Sequence, residues 1–219
     1  MKALFVNGSP RKNWNTHKML ESAMEGASEA GAETELVHLY DLNFKGCLGC
    51  MACKLKGGKS LGRCVVNDGL KPVLNYAHEA DIVVIGSPIY WHEVTGETRC
   101  FLERLLFQYN SYDDYDKPLS TPKQTAMIYT MNMPEKLHPR FGYDEMFRKY
   151  EELLTHFFGH CATLYSAETM QVTDYSRYHL GVFNEEKRKL RHEQEFPKDL
   201  QNAYDLGKRL VAKANELNA

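Results

Sequence analysis

The stretch Asn7-Gly8-Ser9-Pro10-Arg11-Lys12-Asn13-Trp14-Asn15-Thr16 is the part of the sequence that decides the fold. It follows a short apolar run, Ala3–Val6, and leads into a helical pattern that begins near His17. At the N-terminus of a helix, unpaired backbone N–H groups and the positive end of the dipole favour an anion, so this loop is a candidate phosphate site. Its donors are side chains with hydroxyl, amide or guanidinium protons: Ser9, Arg11, Asn15 and Thr16. An ordinary βα turn whose Asn or Thr caps the helix is the alternative interpretation.

Composition narrows the class of protein. The 219 residues are 43% hydrophobic, which predicts one α/β domain over residues 1–219. Lys and Arg total 27 against 29 Asp and Glu, a net charge of −2, so nucleic acid is not expected as a partner. No apolar run approaches the ~18 residues that span a membrane, and the chain starts on a strand without a signal peptide, so we expect a cytoplasmic protein with no membrane contact. Six cysteines in that compartment are expected as reduced thiols, metal ligands or catalytic groups.

Five apolar strand candidates alternate with helical patterns. The strands are Ala3–Val6, Thr34–Tyr40, Asp81–Gly86, Gln124–Thr130 and Cys161–Ala167. The helices start at about Thr16, cover roughly Gly69–Glu79 and about Gly96–Gln108, follow Met146 to Phe157, and end with one entered through Pro197. Strands separated by such helices imply right-handed crossovers, so the sequence predicts a doubly wound, five-stranded parallel sheet with helices on both faces.

Ligands bind to such sheets at the carboxyl ends of the strands. The loop after the third strand reads Gly86-Ser87-Pro88-Ile89-Tyr90-Trp91-His92-Glu93-Val94-Thr95-Gly96. Proline stiffens this loop, and its two adjacent aromatic residues with the polar backbone before the next helix suit a flat heterocycle. Packing of the two aromatic rings within the protein is the alternative.

These motifs resemble the flavodoxin-like NAD(P)H-dependent FMN reductases, and more narrowly the iron-sulfur flavoproteins of that group. The similar segments are Gly8–Lys12 with Asn15-Thr16, Gly86–Trp91 and Thr95–Arg104. The resemblance implies that Ser9, Arg11, Asn15 and Thr16 hold the phosphate of FMN. It implies contacts to the flavin ring from Pro88, Ile89, Tyr90 and Trp91, and from Met131 and Asn132 in a loop that here lacks glycine.

The third motif is Cys47-Leu48-Gly49-Cys50-Met51-Ala52-Cys53, with Cys64 further on, in a cysteine-rich loop over residues 46–66. The C-x2-C-x2-C spacing suits three corners of a [4Fe–4S] cluster, with Cys64 as a fourth ligand after a longer gap than the iron-sulfur flavoproteins have. Nearby Lys54, Lys56, Lys59 and Arg63 would offset the negative charge of four thiolates. Zinc bound by the same four cysteines, and a packed loop of reduced thiols with no metal, remain open alternatives.

Residues 168–196 extend beyond a minimal five-stranded domain, and Tyr175, Arg177, Tyr178 and His179 give this extension the composition of an interface. By resemblance we expect a homodimer or homotetramer. The resemblance also implies that NAD(P)H or another reduced donor passes electrons through FMN to a small-molecule or redox-protein acceptor. Hydride transfer between stacked rings needs no acid or base, so no catalytic residue is predicted. A non-catalytic electron carrier or a redox-sensing module is the alternative.

Overall fold

The computed structural model describes residues 1–217. Its strands are β1 (Lys2–Asn7), β2 (Glu33–His38), β3 (Ile82–Tyr90), β4 (Glu93–Val94), β5 (Lys123–Thr130) and β6 (Gly159–Ser166). Five of them form a parallel sheet in the order β2-β1-β3-β5-β6, and the two-residue β4 pairs antiparallel with the end of β3. This order is that of the flavodoxin-like doubly wound fold, so the predicted fold class is confirmed.

Within residues 1–217, six α-helices connect and cover the strands. They are α1 (Asn15–Glu29), α2 (Lys71–Glu79), α3 (Gly96–Phe107), α4 (Tyr143–Phe158), α5 (Glu185–Gln194) and α6 (Phe196–Leu217). The five predicted strands and their helices are all present within a few residues. In β3, Ile82 and Val84 face the core formed with α1 and α6, whereas Val83 and Ile85 face the core formed with α2, α3 and α4. The sheet therefore has an apolar core on each face, as parallel strands buried on both sides require.

The sequence did not predict the hairpin between β3 and β4. Trp91 and His92 form its turn with φ values of 50° and 65°, the left-handed conformation of both central residues in a type I′ turn. That turn usually carries Asn or Gly, so an aromatic residue followed by histidine gives no turn signal. The hairpin extends β3 by four residues past Gly86 and carries Tyr90 and Trp91 away from the edge of the sheet.

Helix α1, which opens at the candidate phosphate loop, is held against α6 by glycine contacts. A Cβ on Gly207 would lie 1.9 Å from the carbonyl oxygen of Ala23, and one on Gly26 would lie 2.0 Å from that of Tyr204. The two helices approach backbone to backbone because neither glycine has a side chain to separate them. In the part of the chain that the structure describes, no helix is both long and apolar enough to cross a membrane.

Candidate functional site

A cleft of about 690 Å³ opens at the carboxyl ends of β1, β3 and β5. All ten residues that the family resemblance assigns to FMN line it: Ser9, Arg11, Asn15, Thr16, Pro88, Ile89, Tyr90, Trp91, Met131 and Asn132. The volume lies within the range of small-molecule and cofactor sites. One end of the cleft is lined by hydroxyl, amide and guanidinium groups and the other by proline and aromatic rings. This gradient of polarity matches a ligand with an anionic end and a flat apolar end.

At the polar end, α1 begins without a capping side chain, since its N-cap residue Trp14 accepts no hydrogen bond through its side chain. The first backbone N–H groups of α1 therefore have no capping partner, which suits an anion. Ser9 is only 4% exposed, and its hydroxyl oxygen accepts a hydrogen bond from the backbone N–H of Arg11 at 3.1 Å. The residues and helix end present at this place fit the phosphate of FMN.

The extension closes over this end of the cleft, a feature that the sequence did not reveal. The carbonyl oxygen of Met170 accepts hydrogen bonds from Asn15 Nδ2 at 2.7 Å and from Trp14 Nε1 at 3.1 Å. Arg11 Nη1 donates to the carbonyl oxygen of Gln171. Two of the predicted phosphate donors thus also hold the extension in place. The extension adds cleft residues that sequence reasoning missed: Thr169, Met170, Gln171, Val172, Tyr178 and Leu180.

The apolar end of the cleft is shaped by the β3–β4 hairpin. The side chains of Tyr90 and Trp91 are exposed, with Trp91 96% accessible at the tip of the hairpin. His92 stacks on Phe141 with a 5.0 Å separation of ring centroids and an angle of 6° between the planes. The second predicted loop therefore contributes to the cleft, but Trp91 lies at the open rim rather than in the interior.

Three hydrogen bonds, one to the first loop and two from α4, fix the base of this hairpin. The hydroxyl of Thr95 donates to the carbonyl oxygen of Gly8 at 2.7 Å, which ties the second loop to the first. The carboxylate of Glu93 accepts from Tyr150 Oη at 2.7 Å and from Lys149 Nζ at 2.8 Å on α4. Burial opposes ionisation of Glu93, but these two hydrogen bonds prevail and lower its pKa. Glu93 is therefore ionised at neutral pH and anchors the hairpin to α4.

The third predicted loop follows β5. The hydroxyls of Thr130 and Thr16 are 2.7 Å apart and hydrogen-bonded, which joins this loop to the start of α1. The carbonyl oxygen of Met131 accepts from Thr169 Oγ1 at 3.0 Å, and that of Asn132 accepts from Arg188 Nη2 at 2.8 Å. The loop is thus fixed by the extension and α5, which replaces the rigidity that a tight glycine-rich turn would give.

The four predicted cysteine ligands line a second, much smaller cavity at the C-terminal end of α3. Its volume is about 20 Å³, room for one or two water molecules. Cys47 and Cys50 are exposed, Cys64 is half-buried and Cys53 is buried. Burial raises the pKa of Cys53. Over residues 1–217, no three His, Cys, Asp or Glu side chains are placed to hold a single metal ion.

A cubane is larger than this cavity of about 20 Å³, so the cysteine loop would have to open to bind it. The chemistry of the cavity nevertheless fits an anionic cluster, because four thiols share it with the buried guanidinium of Arg104. Arg104 Nη2 lies 3.5 Å from Cys64 Sγ, and Arg104 Nε has no hydrogen-bond partner among the described residues. A buried cation with an unpaired N–H group is stabilised by a further hydrogen-bond acceptor, and an anionic cluster would supply one.

The sequence predicts core positions for the two remaining cysteines, Cys100 in a helical stripe and Cys161 at the start of a strand. Cys100 on α3 is instead half-buried and lies beside the start of the cysteine loop at Gly46. Cys161, at the start of β6, is buried as expected, and burial raises the pKa of its thiol to about 12.

Comparison with known proteins bears on both cavities. The family model described as NADPH-dependent FMN reductase matches residues 1–132, more than half of the chain. The chain belongs to this family. The match covers the first two loops of the cleft, the cysteine loop and the third loop as far as Asn132.

The curated relatives of this FMN reductase family member are iron-sulfur flavoproteins. One from Archaeoglobus fulgidus is 42% identical over 104 residues, 48% of this chain and 48% of the relative. Another from the same organism is 36% identical over 106 residues, 48% of this chain and 46% of the relative. The chain thus spans about half the length of the curated relatives it matches. A solved NAD(P)H:quinone oxidoreductase from Methanothermobacter marburgensis has a TM-score of 0.68 at 17% identity, over 96% of this chain and 98% of that one, which shows likeness of fold alone.

Proposed function

We propose that this chain binds FMN in the carboxyl-edge cleft and passes electrons from a reduced donor, NAD(P)H, to an acceptor. The observation that carries the proposal is the convergence of all ten sequence-assigned residues on one cleft with a polar and an aromatic end. In this arrangement Ser9, Asn15, Thr16 and the start of α1 hold the phosphate, with Arg11 at its side. The ring lies against Pro88 to Trp91 and the loop at Met131 and Asn132.

Bound FMN supplies the redox chemistry, because it can take up a hydride and release electrons singly. The side chains of this chain bind and orient the two reactants and exclude water, and none has to donate or accept a proton. The exposed rim of the cleft at Tyr90 and Trp91 leaves room for a second flat ring to stack on the first. We therefore assign no catalytic residue.

The proposal extends to the cysteine loop, which we assign to a [4Fe–4S] cluster held by Cys47, Cys50, Cys53 and Cys64. Support comes from the shared cavity of the four thiols, the buried guanidinium beside Cys64, and relatives named as iron-sulfur flavoproteins. With such a cluster, the acceptor would be a one-electron redox protein or small molecule on the outer side of α3. The assembly that we propose is a homodimer or homotetramer.

The phosphate assignment is tested by exchanging one cleft amide for a carboxylate. In Asn15→Asp, a negative charge would face the phosphate at nearly unchanged side-chain volume. We expect FMN affinity to fall by about tenfold or more, which corresponds to about 1.4 kcal/mol, while riboflavin, which lacks the phosphate, loses far less. The matched control is Asn13→Asp, the same change at an exposed position of the same loop that does not line the cleft. Flavin fluorescence titrations of the three apoproteins, wild type and the two variants, give all six affinities, and equal losses for FMN and riboflavin in Asn15→Asp would contradict the assignment.

Turnover separates an enzyme from a binding module. We expect the FMN-loaded chain to oxidise NADH or NADPH continuously in the presence of a quinone or a second flavin as acceptor, followed by loss of nicotinamide absorbance. A protein that binds FMN but does not oxidise either nucleotide would instead support the electron carrier or redox sensor.

A further inference from the structure

Arg104 is a charged side chain in the interior of the protein, and its contacts all lead to the cysteine loop. The side chain is 1% exposed, and its Nη1 pairs with Asp68 Oδ2 at 2.5 Å. Nη1 also donates to the carbonyl oxygen of Lys45 at 3.3 Å, and Nη2 donates to that of Val66 at 3.4 Å. One guanidinium on α3 thus holds the segment before the first cysteine and the segment after the last.

Two further contacts fasten the loop to the end of α3. Gln108, four residues after Arg104 and 3% exposed, accepts a hydrogen bond from the backbone N–H of Cys64 at 2.9 Å. Lys54, in the middle of the loop, donates through Nζ to the carbonyl oxygen of Gln108 at 3.0 Å and to that of Phe107. Cys64 is therefore held by its backbone to Gln108 and by its sulfur to Arg104. These contacts bring Cys64 to the other three cysteines in spite of the ten residues between Cys53 and Cys64.

The charge of Arg104 has an electrostatic consequence. A guanidinium stays protonated at all accessible pH values, and in the protein interior its interaction with a nearby charge is stronger than in water. Four thiolates around an iron-sulfur cluster carry net negative charge, which increases by one when the cluster takes up an electron. A fixed positive charge 3.5 Å from one ligand sulfur stabilises the reduced form more than the oxidised form.

We propose that Arg104 is the positioning residue of the cysteine site, which holds Cys64 as the fourth ligand and raises the one-electron reduction potential of the cluster. This inference rests on the proposed cluster and adds to it a residue outside the cysteine motif. Asp68 limits the effect, because its carboxylate lies on Nη1 and neutralises part of the charge. The two side chains therefore act on the potential with opposite signs.

The experiment uses the full chain, purified anaerobically with its cluster, and measures iron and sulfide per chain and the midpoint potential by redox titration followed by electron paramagnetic resonance. In Arg104→Met we expect the equilibrium constant for reduction to fall by about tenfold, which is about 59 mV for one electron. Arg104→Lys restores the charge and should recover most of this loss. Asp68→Asn should shift the potential upward. The matched control is Arg148→Met, an exposed arginine on α4 that lines neither cavity, which should leave the potential unchanged.

The outcomes separate the two proposals. Wild-type protein that takes up no iron would overturn the proposed cluster and with it the role of Arg104. If the wild-type protein holds a cluster and its potential is the same in Arg104→Met and Arg148→Met, the role of Arg104 alone is overturned. If Arg104→Met does not fold, Arg104→Gln decides, because it removes the charge and keeps a side-chain amide that can donate to the carbonyls of the loop. A potential equal to that of wild type in Arg104→Gln would then contradict the inference.

Discussion

Lys123, the first residue of β5, has a buried ammonium group. The residue is 4% exposed, and its Nζ donates to the carbonyl oxygens of His78 at 2.8 Å and Ala80 at 2.6 Å, at the C-terminal end of α2. These bonds satisfy carbonyls that the helix leaves unpaired. Burial lowers the pKa of Lys123 to about 8. The folded protein therefore releases this proton above pH 8, whereas the unfolded chain keeps it to about pH 10.4.

The sign of the resulting pH dependence follows directly. Between these two pKa values the folded state binds fewer protons than the unfolded state, so this residue makes folding more favourable as the pH rises. We expect the free energy of unfolding of wild type, relative to Lys123→Met, to rise by up to about 1.4 kcal/mol per pH unit above pH 8. Urea unfolding of both proteins from pH 7 to 9.5 measures the difference. A difference that stays constant or falls over this range would contradict the lowered pKa.

Sequence reasoning identified cleft residues by their place after strands, but it missed the residues that support the cysteine loop. Arg104 and Gln108 lie in an apolar helical stripe with Phe101 and Leu105, and all four are buried. Apolar spacing predicts only that this face of α3 is buried. It does not indicate the hydrogen-bond partners of Arg104 and Gln108, which lie in a loop some 40 residues away in the sequence. The signal that could have revealed them is the presence of an arginine and a glutamine at i, i+4 on a face that must be buried.

At the scale of secondary structure, the β3–β4 hairpin is the element on which the ring end of the cleft depends. Glu93→Gln removes the charge that accepts from Lys149 and Tyr150 and leaves the shape of the side chain. Charge-assisted hydrogen bonds contribute about 1.5–3 kcal/mol, so we expect FMN affinity to fall several-fold as the hairpin loosens. Glu152→Gln, the same change at an exposed position of α4, is the control. Equal FMN affinities in the two variants, measured by fluorescence titration, would show that this anchor does not shape the cleft.

The main strands and helices were predictable because their apolar runs are long enough to show a period. Ile82–Ile85 is buried on both faces, and such a run between helices can only be a central parallel strand. The two-residue β4 was too short to give a period, and its turn carries Trp91 and His92 in place of the usual turn residues. The path of the extension was also unpredictable. Its place over the cleft depends on hydrogen bonds to the backbone carbonyl groups of Met170 and Gln171. Every residue has such a carbonyl, so the sequence does not indicate which of them accept these bonds.

At the scale of the whole molecule, the exposed Trp91 supports the proposed oligomer. This side chain is 96% accessible at the rim of the cleft, next to the half-exposed Tyr90 and the exposed Tyr178 of the extension. Aromatic residues of this kind are enriched at interfaces between subunits. We expect light scattering at micromolar concentration to give a mass two or four times that of one chain, and Trp91→Ser to lower that mass. A monomer under these conditions would contradict the proposed assembly.

The account as a whole depends on flavin binding, and one measurement tests it most directly. The full chain is purified without oxygen, its absorbance spectrum is recorded, and its flavin, iron and sulfide contents are determined. We predict about one FMN per chain with its absorbance bands, together with about four iron and four sulfide from a cubane. FMN without iron would contradict the assignment of the cysteine loop only. A protein that neither retains FMN nor takes it up when FMN is added would contradict the central claim.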